Sequence, residues 1–215
     1  MSSMAGEISI LDLGINNINS VSRAFRQISN KLEINTNSED STLGGTRLII
    51  LPGLGSFAAG MQQLRLRKLD RYLLKAAANE IPIVGICLGM QLLGEASEES
   101  PGVQGLGLIQ GNNKILPINS NERIPNTGWM GGTPENEGNL FPALGKGKDF
   151  YFVHSYYFTP ENSAETIFRS KYGEVEITTG VKRGKVVGFQ FHPEKSSTIG
   201  HELIQDIYNW GLRED

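Results

Sequence analysis

The only cysteine of the chain, Cys87, lies between Gly85 and Gly89 in the pattern glycine, any residue, cysteine, any residue, glycine. An apolar run that predicts a buried strand precedes it, and a segment that predicts a helix follows. A strand that turns this sharply into a helix brings the two glycines together, so a Cβ at either one would clash. The sulfur then lies at a helix N-terminus, which favours a thiolate. Because free cysteines are commonly inert core residues, a nucleophile is predicted only if a base accompanies it.

His192 is the best candidate for that base. It follows the apolar segment 186–191 and precedes Pro193 and Glu194. Proline favours an extended conformation in the residue before it, and residues two apart on an extended chain point to the same side. Glu194 is therefore predicted to accept a hydrogen bond from one imidazole nitrogen while the other faces Cys87, as in a catalytic triad. Taken alone, His-Pro-Glu also suits a strand end followed by a polar turn.

The remaining histidines and a glycine-rich loop do not indicate a cofactor. His154 lies in a predicted strand and suits a structural role, and His201 lies in the predicted last helix. Gly53, Gly55 and Ala58 match a dinucleotide-binding pattern, but the proline before them fits it poorly. Because the sequence has no cluster of histidines and cysteines at ligand spacing, neither a metal nor an organic cofactor is predicted.

The apolar pattern predicts an α/β fold for the elements that position these residues. In the first half, runs typical of strands alternate with helical spacing. Strands are predicted at 8–13, 32–34, 48–51 and 81–86, and helices at 20–28, 58–79 (in one or two pieces) and 88–96. Such alternation predicts a mostly parallel sheet flanked by helices, with functional groups where strands end. The glycine-rich second half has strand-like runs at 151–158, 175–179 and 186–191 and an amphipathic helix at 199–210.

Composition sets the broad class of the protein. With 215 residues, 39% of them hydrophobic, the chain suits one globular domain. A net charge of −3 gives no reason to expect binding to nucleic acid or to a membrane surface. A single cysteine excludes an internal disulfide, and no apolar stretch reaches the roughly 20 residues that a bilayer crossing needs. The first six residues lack the features of a secretory signal, so a cytoplasmic protein is expected.

Together, the cysteine elbow and the His-Pro-Glu segment resemble the class I glutamine amidotransferases. The likeness extends over nearly the whole chain. It includes residues 52–57 (PGLGSF), 85–91 (GICLGMQ) and 189–196 (FQFHPEKS). Within the class, residues 105–111 (GLGLIQG) and 152–156 (FVHSY), together with the Lys195-Ser196 ending, are most similar to the branch of glutaminase subunits that serve imidazole glycerol phosphate synthases.

The resemblance implies a fold, a reaction and roles for the matching positions. The implied fold is a single α/β amidotransferase domain over residues 7–215, with additional antiparallel strands in its C-terminal half and a flexible extension over residues 1–6. Cys87 is expected to attack the side-chain amide carbon of L-glutamine, His192 to pass a proton to the departing ammonia, and Glu194 to hold His192. The oxyanion is expected to be held by backbone N–H groups of Leu88 and of the loop Gly53, Leu54 and Gly55. The substrate-binding positions implied are Gln91, Glu99, Ser155 and Tyr156.

Two segments depart from the family pattern, and in the family both face a partner. The usual Gly-Asn pair of the first loop is Asn16-Asn17 here, and the usual Pro-His-x-Gly-Trp-Asn is 125–130 (PNTGWM), so Asn126 and Met130 replace a histidine and an asparagine. Asn17, Trp129 and Lys195 are expected at the interface with a (β/α)8-barrel synthase or cyclase subunit, in a heterodimer with a closed passage for ammonia.

The departures leave several functions open. The leading expectation is glutamine hydrolysis that supplies ammonia for imidazole glycerol phosphate formation in histidine biosynthesis. One alternative is a related synthase that aminates another acceptor, such as a surface-polysaccharide sugar. Another is a stand-alone Cys-His hydrolase that acts on peptides or γ-glutamyl compounds, and the last is a non-catalytic interaction module.

Overall fold

The computed structural model describes residues 7–15, 18–35, 43–117, 122–135, 140–145 and 148–213. Its strands are β1 (Ile8–Leu11), β2 (Leu32–Asn35), β3 (Leu48–Gly53), β4 (Ile83–Cys87), β5 (Ala96–Ser97), β6 (Gly111–Ile115), β7 (Asn126–Pro134), β8 (Asp149–His154), β9 (Tyr156–Pro160), β10 (Thr166–Tyr172), β11 (Val175–Arg183) and β12 (Val186–Phe189). Its helices are α1 (Ile18–Arg26), α2 (Phe57–Leu66), α3 (Leu69–Ala78), α4 (Leu88–Leu92) and α5 (Ser197–Gly211). The predicted extension over residues 1–6 and Asn17 lie outside the described residues.

A nine-stranded sheet organises the fold, in the order β2-β1-β3-β4-β12-β11-β10-β7-β8. The strands from β2 to β12 in this order pair in parallel. From β12 to β8 the pairing is antiparallel. A smaller sheet has the order β5-β6-β9. This large mixed sheet flanked by helices confirms the predicted fold class, and the change from parallel to antiparallel pairing occurs at β12, next to the strand that ends in Cys87.

Helices cover both faces of the parallel half, which explains why its central strands β3 and β4 are apolar. Every residue of β3 and β4 is buried. Leu48 and Ile50 pack into one apolar cluster with α1 and α5, whereas Ile49 and Leu51 pack into a second cluster with α2 and α3. The alternation follows from the pleat, which sends successive side chains to opposite faces. Both neighbours of the nucleophile's strand are therefore fixed by packing on two sides.

The helix predicted over 88–96 and the strand predicted over 151–158 differ most from the structure, and the strand predicted over 175–179 continues to Arg183 as β11. The helix predicted over 88–96 ends at Leu92, because the chain turns at Gly94 and the N–H of Glu95 donates to the Gly111 carbonyl at 2.9 Å. The strand predicted over 151–158 is two strands in different sheets, divided at Ser155. The helix predicted over 58–79 forms in two pieces, α2 and α3.

Candidate functional site

Cys87 lies at the sharp junction between β4 and α4. Its backbone has φ 55° and ψ −113°, a conformation that L-residues rarely adopt and that concentrates at functional sites. A Cβ on Gly85 would lie 2.7 Å from backbone atoms of Gly89, and a Cβ on Gly89 would overlap the Leu51 carbonyl oxygen. The predicted close approach of the two glycines is confirmed at Gly85, whereas Gly89 is required by its contact with the neighbouring strand β3.

His192 and Glu194 form the predicted pair. The imidazole Nδ1 lies 2.8 Å from a Glu194 carboxylate oxygen, and each side chain is only 3% exposed. The predicted extended conformation is confirmed at His192, with φ −104° and ψ 94°, but the chain does not continue extended to Glu194, because Pro193–Lys195 forms a 3-10 turn. Hydrogen bonds fix this turn: the His192 N–H donates to the Tyr151 carbonyl at 2.9 Å, and the Ser196 hydroxyl donates to the His192 carbonyl at 2.6 Å.

The imidazole of His192 interacts with Cys87 as well as with Glu194. Burial lowers the pKa of His192, but the Cys87 sulfur and then the Glu194 carboxylate outweigh it and raise this pKa to about 10. Nε2 is buried and makes no well-aligned hydrogen bond within the part of the chain that the structure describes. The raised pKa favours an imidazolium, most strongly when Cys87 is a thiolate, with Nδ1 committed to Glu194 and Nε2 left for the sulfur or for a ligand.

Two further groups contact the Cys87 sulfur. The thiol donates to the Val153 carbonyl oxygen at 3.8 Å, and the side-chain Nε2 of Gln190 donates to the sulfur at 3.9 Å. Neither residue was predicted. Gln190 lies two positions before His192, within the segment 189–196 that resembles the family's catalytic motif. Its position in that segment is the sequence signal that could have identified it.

A cavity of about 230 Å³ opens beside Cys87 and brings most of the predicted residues together. Its lining includes the predicted Leu54, Gly55, Leu88, Gln91, Glu99, Ser155 and Tyr156. The predicted Gly53 instead borders a cavity of about 10 Å³ next to it, with His192 and Glu194. A larger groove of about 630 Å³ around Pro82, Lys185 and Trp210 contains none of the predicted site residues.

The polar side chains of the cavity are held in place by backbone groups. The Gln91 amide nitrogen donates to the Tyr156 carbonyl at 2.9 Å and to the Gln190 side-chain oxygen at 3.1 Å. One carboxylate oxygen of Glu99 accepts the N–H of Phe57 at 2.7 Å, at the start of α2. Glu99 therefore also satisfies a helix N-terminus, a role that the sequence did not predict.

His154 borders the same cavity but is neutral. Burial, together with the nearby charge of His192, lowers its pKa to about 4 even though the bond to Tyr156 raises it. Its Nδ1 lies 2.9 Å from the Tyr156 carbonyl oxygen, and its Nε2 lies 3.1 Å from the side-chain nitrogen of Asn126. Because a carbonyl only accepts, Nδ1 carries the proton and Nε2 accepts from the amide of Asn126.

The predicted interface residues Trp129 and Lys195 lie on either side of Tyr151. The indole of Trp129 is 53% exposed and meets the Tyr151 ring edge to face, with 6.0 Å between centroids. The Lys195 ammonium lies 5.9 Å from the centroid of the same ring. Aromatic residues are enriched at protein interfaces, which suits the exposed Trp129. Asn17, the third predicted interface residue, is outside the described residues.

The described residues include no candidate metal site and no candidate membrane span. Within the described ranges, no three histidine, cysteine, aspartate or glutamate side chains are grouped so that they could hold a metal ion. None of the helices in that part of the chain combines the length and apolar character that a bilayer crossing needs.

Comparison with known proteins gives consistent matches over the full fold. A family model described as "Glutamine amidotransferase class-I" matches residues 9–209. The imidazole glycerol phosphate synthase subunit HisH of Moorella thermoacetica is 37% identical over 200 residues, which is 93% of each chain. The HisH subunit of Lactococcus lactis is 39% identical over 205 residues, 93% of this chain and 96% of the relative. The solved structure of PurLQS from Thermotoga maritima covers 96% of this chain and 99% of its own with a TM-score of 0.75 at 21% identity, which shows a shared fold.

Proposed function

Because the chain belongs to the class I glutamine amidotransferase family, we propose that it is the glutaminase subunit of an imidazole glycerol phosphate synthase. It hydrolyses L-glutamine to glutamate and ammonia and delivers the ammonia to a (β/α)8-barrel synthase subunit. The names of the two HisH relatives support the pathway. The observation that carries the reaction is the interaction of His192 with both Cys87 and Glu194, where Cys87 borders the cavity of about 230 Å³.

The first half of the reaction forms a thioester. The Cys87 thiolate attacks the side-chain amide carbon of glutamine, and the carbonyl oxygen becomes an oxyanion. The His192 imidazolium gives its proton to the amide nitrogen, the carbon–nitrogen bond breaks, and ammonia leaves. Glu194 holds Nδ1 of His192, which keeps Nε2 available for the transferred proton. The raised pKa of His192 supports this sequence, because the acid is already protonated before substrate binds.

The second half hydrolyses the thioester. Neutral His192 takes a proton from a water molecule, the hydroxide attacks the thioester carbon, and glutamate and the Cys87 thiolate are released with His192 protonated again. Both halves pass through an oxyanion. The N–H of Leu88 and one from the loop of Gly53, Leu54 and Gly55 stabilise it, and each such donor is typically worth about 3 kcal/mol of barrier.

The cavity supports recognition of a small amino acid. Its lining combines the side-chain amide of Gln91 and the carboxylate of Glu99 with the backbone of Ser155 and Tyr156. The carboxylate of Glu99 suits the α-ammonium group of glutamine, although one of its oxygens already accepts from α2. The cavity volume of about 230 Å³ suits a ligand of the size of a single amino acid.

The proposed nucleophile can be tested directly by the Cys87→Ala substitution in the complex with the synthase subunit. We expect glutaminase activity to fall by more than about 10³-fold, because the covalent route is lost. An electrophilic glutamine analogue should add its mass to the wild-type chain and not to the variant. Matched melting temperatures of the two proteins serve as the folding control. Glutamine hydrolysis at the wild-type rate by the variant would refute the proposal.

A second candidate differs only in the acceptor of the ammonia. Asn126 and Met130 replace the histidine and asparagine expected from the family pattern, and they flank Trp129 on β7. This departure from the family pattern, on the strand that carries the predicted interface residue Trp129, favours a related synthase with another acceptor, such as a surface-polysaccharide sugar. Isolation of the tagged chain from its native source, followed by identification of the bound barrel subunit, separates the two. A cyclase that forms imidazole glycerol phosphate supports the first candidate, and a sugar-aminating synthase supports the second.

A further inference from the structure

Gln190 is wholly buried and contacts two residues of the proposed site, although the mechanism above gives it no role. Its side chain joins the Cys87 sulfur to the amide of Gln91. Its backbone N–H donates to the Thr179 carbonyl at 2.9 Å, which anchors it to β11. We propose that Gln190 is a positioning residue that stabilises the Cys87 thiolate and orients Gln91 toward the substrate. This inference rests on the glutaminase function proposed above.

The orientation of both amides follows from a single backbone carbonyl. The Tyr156 carbonyl oxygen can only accept, so the Gln91 atom that lies 2.9 Å from it is the amide nitrogen. The same nitrogen donates its second hydrogen to the Gln190 oxygen at 3.1 Å. The nitrogen of Gln190 is therefore the atom that faces the Cys87 sulfur, at 3.9 Å.

This arrangement favours the charged form of the nucleophile. A Cys87 thiol can donate to the Val153 carbonyl, as it does at 3.8 Å, but a thiolate has no proton to give. A thiolate instead requires donors, and the N–H of Gln190 is one that points at the sulfur in addition to the His192 imidazolium. Hydrogen bonds to a charged form favour that form. Gln190 therefore helps to hold the sulfur as a nucleophile after it leaves the carbonyl.

The same arrangement determines what Gln91 offers to a ligand. Both N–H groups of its amide are used, on Tyr156 and Gln190, so the side-chain oxygen remains to face the cavity. An acceptor at that position binds a group that carries N–H, such as an ammonium or a carboxamide. Without Gln190, the Gln91 amide is held by one bond fewer, and substrate binding should weaken.

The inference can be tested with Gln190→Glu, which keeps the size but replaces the donor with an acceptor, and Gln190→Met, which removes both hydrogen bonds. The rate of iodoacetamide alkylation against pH reports the Cys87 thiolate alone, because the chain has one cysteine. We expect the pH midpoint to rise by about one unit or more in Gln190→Glu and by a smaller amount in Gln190→Met. We also expect Gln190→Met to raise the KM for glutamine several-fold, by roughly the loss of one hydrogen bond.

Gln205→Glu on α5 is the matched control, because it makes the same change at a glutamine whose amide donates to its helix neighbour Asn209 and does not line the cavity beside Cys87. It should alter neither the alkylation midpoint nor KM. A folded Gln190→Glu protein with the wild-type midpoint overturns the inference. If Gln190→Glu fails to fold, an unchanged midpoint and KM in Gln190→Met overturn it instead. Alkylation needs no glutamine turnover, so a wild-type protein without glutaminase activity refutes the proposed function while this test still decides the role of Gln190.

Discussion

Two buried histidines lie near the candidate site, and their surroundings drive their charges in opposite directions. The turn after β12 carries His192, whose pKa is raised to about 10. The end of β8 carries His154, whose pKa is lowered to about 4. Burial lowers the pKa of both, so burial alone does not separate them. The difference lies in their partners: His192 meets a thiol and a carboxylate, and His154 meets a carbonyl and a neutral amide.

The contrast assigns different tasks to the two regions. The region around His192 keeps a proton ready for transfer, which an acid catalyst requires. The region around His154 keeps a neutral ring that donates to the Tyr156 carbonyl, the same oxygen that accepts from Gln91. His154 therefore stabilises the cavity wall without adding a second positive charge beside His192. This interpretation can be tested with substitutions that make the surroundings of one histidine resemble those of the other.

The largest effect is expected from Glu194→Gln, which gives His192 neutral surroundings on the Nδ1 side. The pKa of His192 should fall, and kcat for glutamine should decrease by about 10-fold to 100-fold, the value of a charged hydrogen bond. Since His192 must be protonated to release ammonia, the alkaline limb of the pH–rate profile should move to lower pH. Glu202→Gln on α5 is the control. An alkaline limb that stays at the wild-type pH would contradict the role of the carboxylate.

A smaller effect is expected when His154→Gln removes the neutral histidine. The pKa of His154 is about 4 when folded, below the ordinary 6.5, so between these values only the unfolded state binds the proton. The contribution of neutral His154 to the free energy of unfolding is therefore intact above pH 6.5 and is lost as the pH falls toward 4. At pH 5 the wild type should have lost about 2 kcal/mol through this residue, a loss that the variant avoids.

Urea unfolding of both proteins at pH 7.5 and pH 5 measures this difference, since the contributions of all other groups cancel between them. His201→Gln removes an exposed imidazole of α5 and controls for the loss of a histidine as such. Equal acid destabilisation of the wild type and the His154→Gln protein would show that His154 is not held neutral by the fold.

The same two regions show which parts of the site can be predicted from sequence. The Cys87 elbow could be predicted because its pattern is local and has a steric reason, which Gly85 and Gly89 satisfy. The contact between His192 and Glu194 was also predicted, although the 3-10 turn that makes it was not. Both depend on residues within five positions of one another, where spacing determines geometry.

The contacts that sequence reasoning missed all depend on long-range pairing. Asn126 meets His154 because they are opposite each other in the β7–β8 register, and Gln190 meets Gln91 from 99 positions away. No apolar period encodes such a register, which forms only when the whole sheet assembles. The parallel strands were predicted because burial on two faces leaves clear apolar runs, and α5 was predicted because its buried residues recur at helical spacing. The helix α4 was predicted too long, because the turn at Gly94 depends on packing against β6.

The smallest expected effect makes His154 resemble His192. Asn126→Asp places a carboxylate 3.1 Å from Nε2, and because Nδ1 already donates to the Tyr156 carbonyl, the ring satisfies both neighbours only as an imidazolium. The pKa of His154 should therefore rise by about one unit or more, as measured by NMR titration of its ring signals. Asn126→Ala, which removes the hydrogen bond to the neutral ring without adding charge, should raise it less than Asn126→Asp does. If the ring of the Asp variant titrates as in the wild type, partners do not decide the charge of a buried histidine at this site. If it shifts, one oxygen in place of one nitrogen reproduces part of the difference between the pKa values of about 4 and about 10.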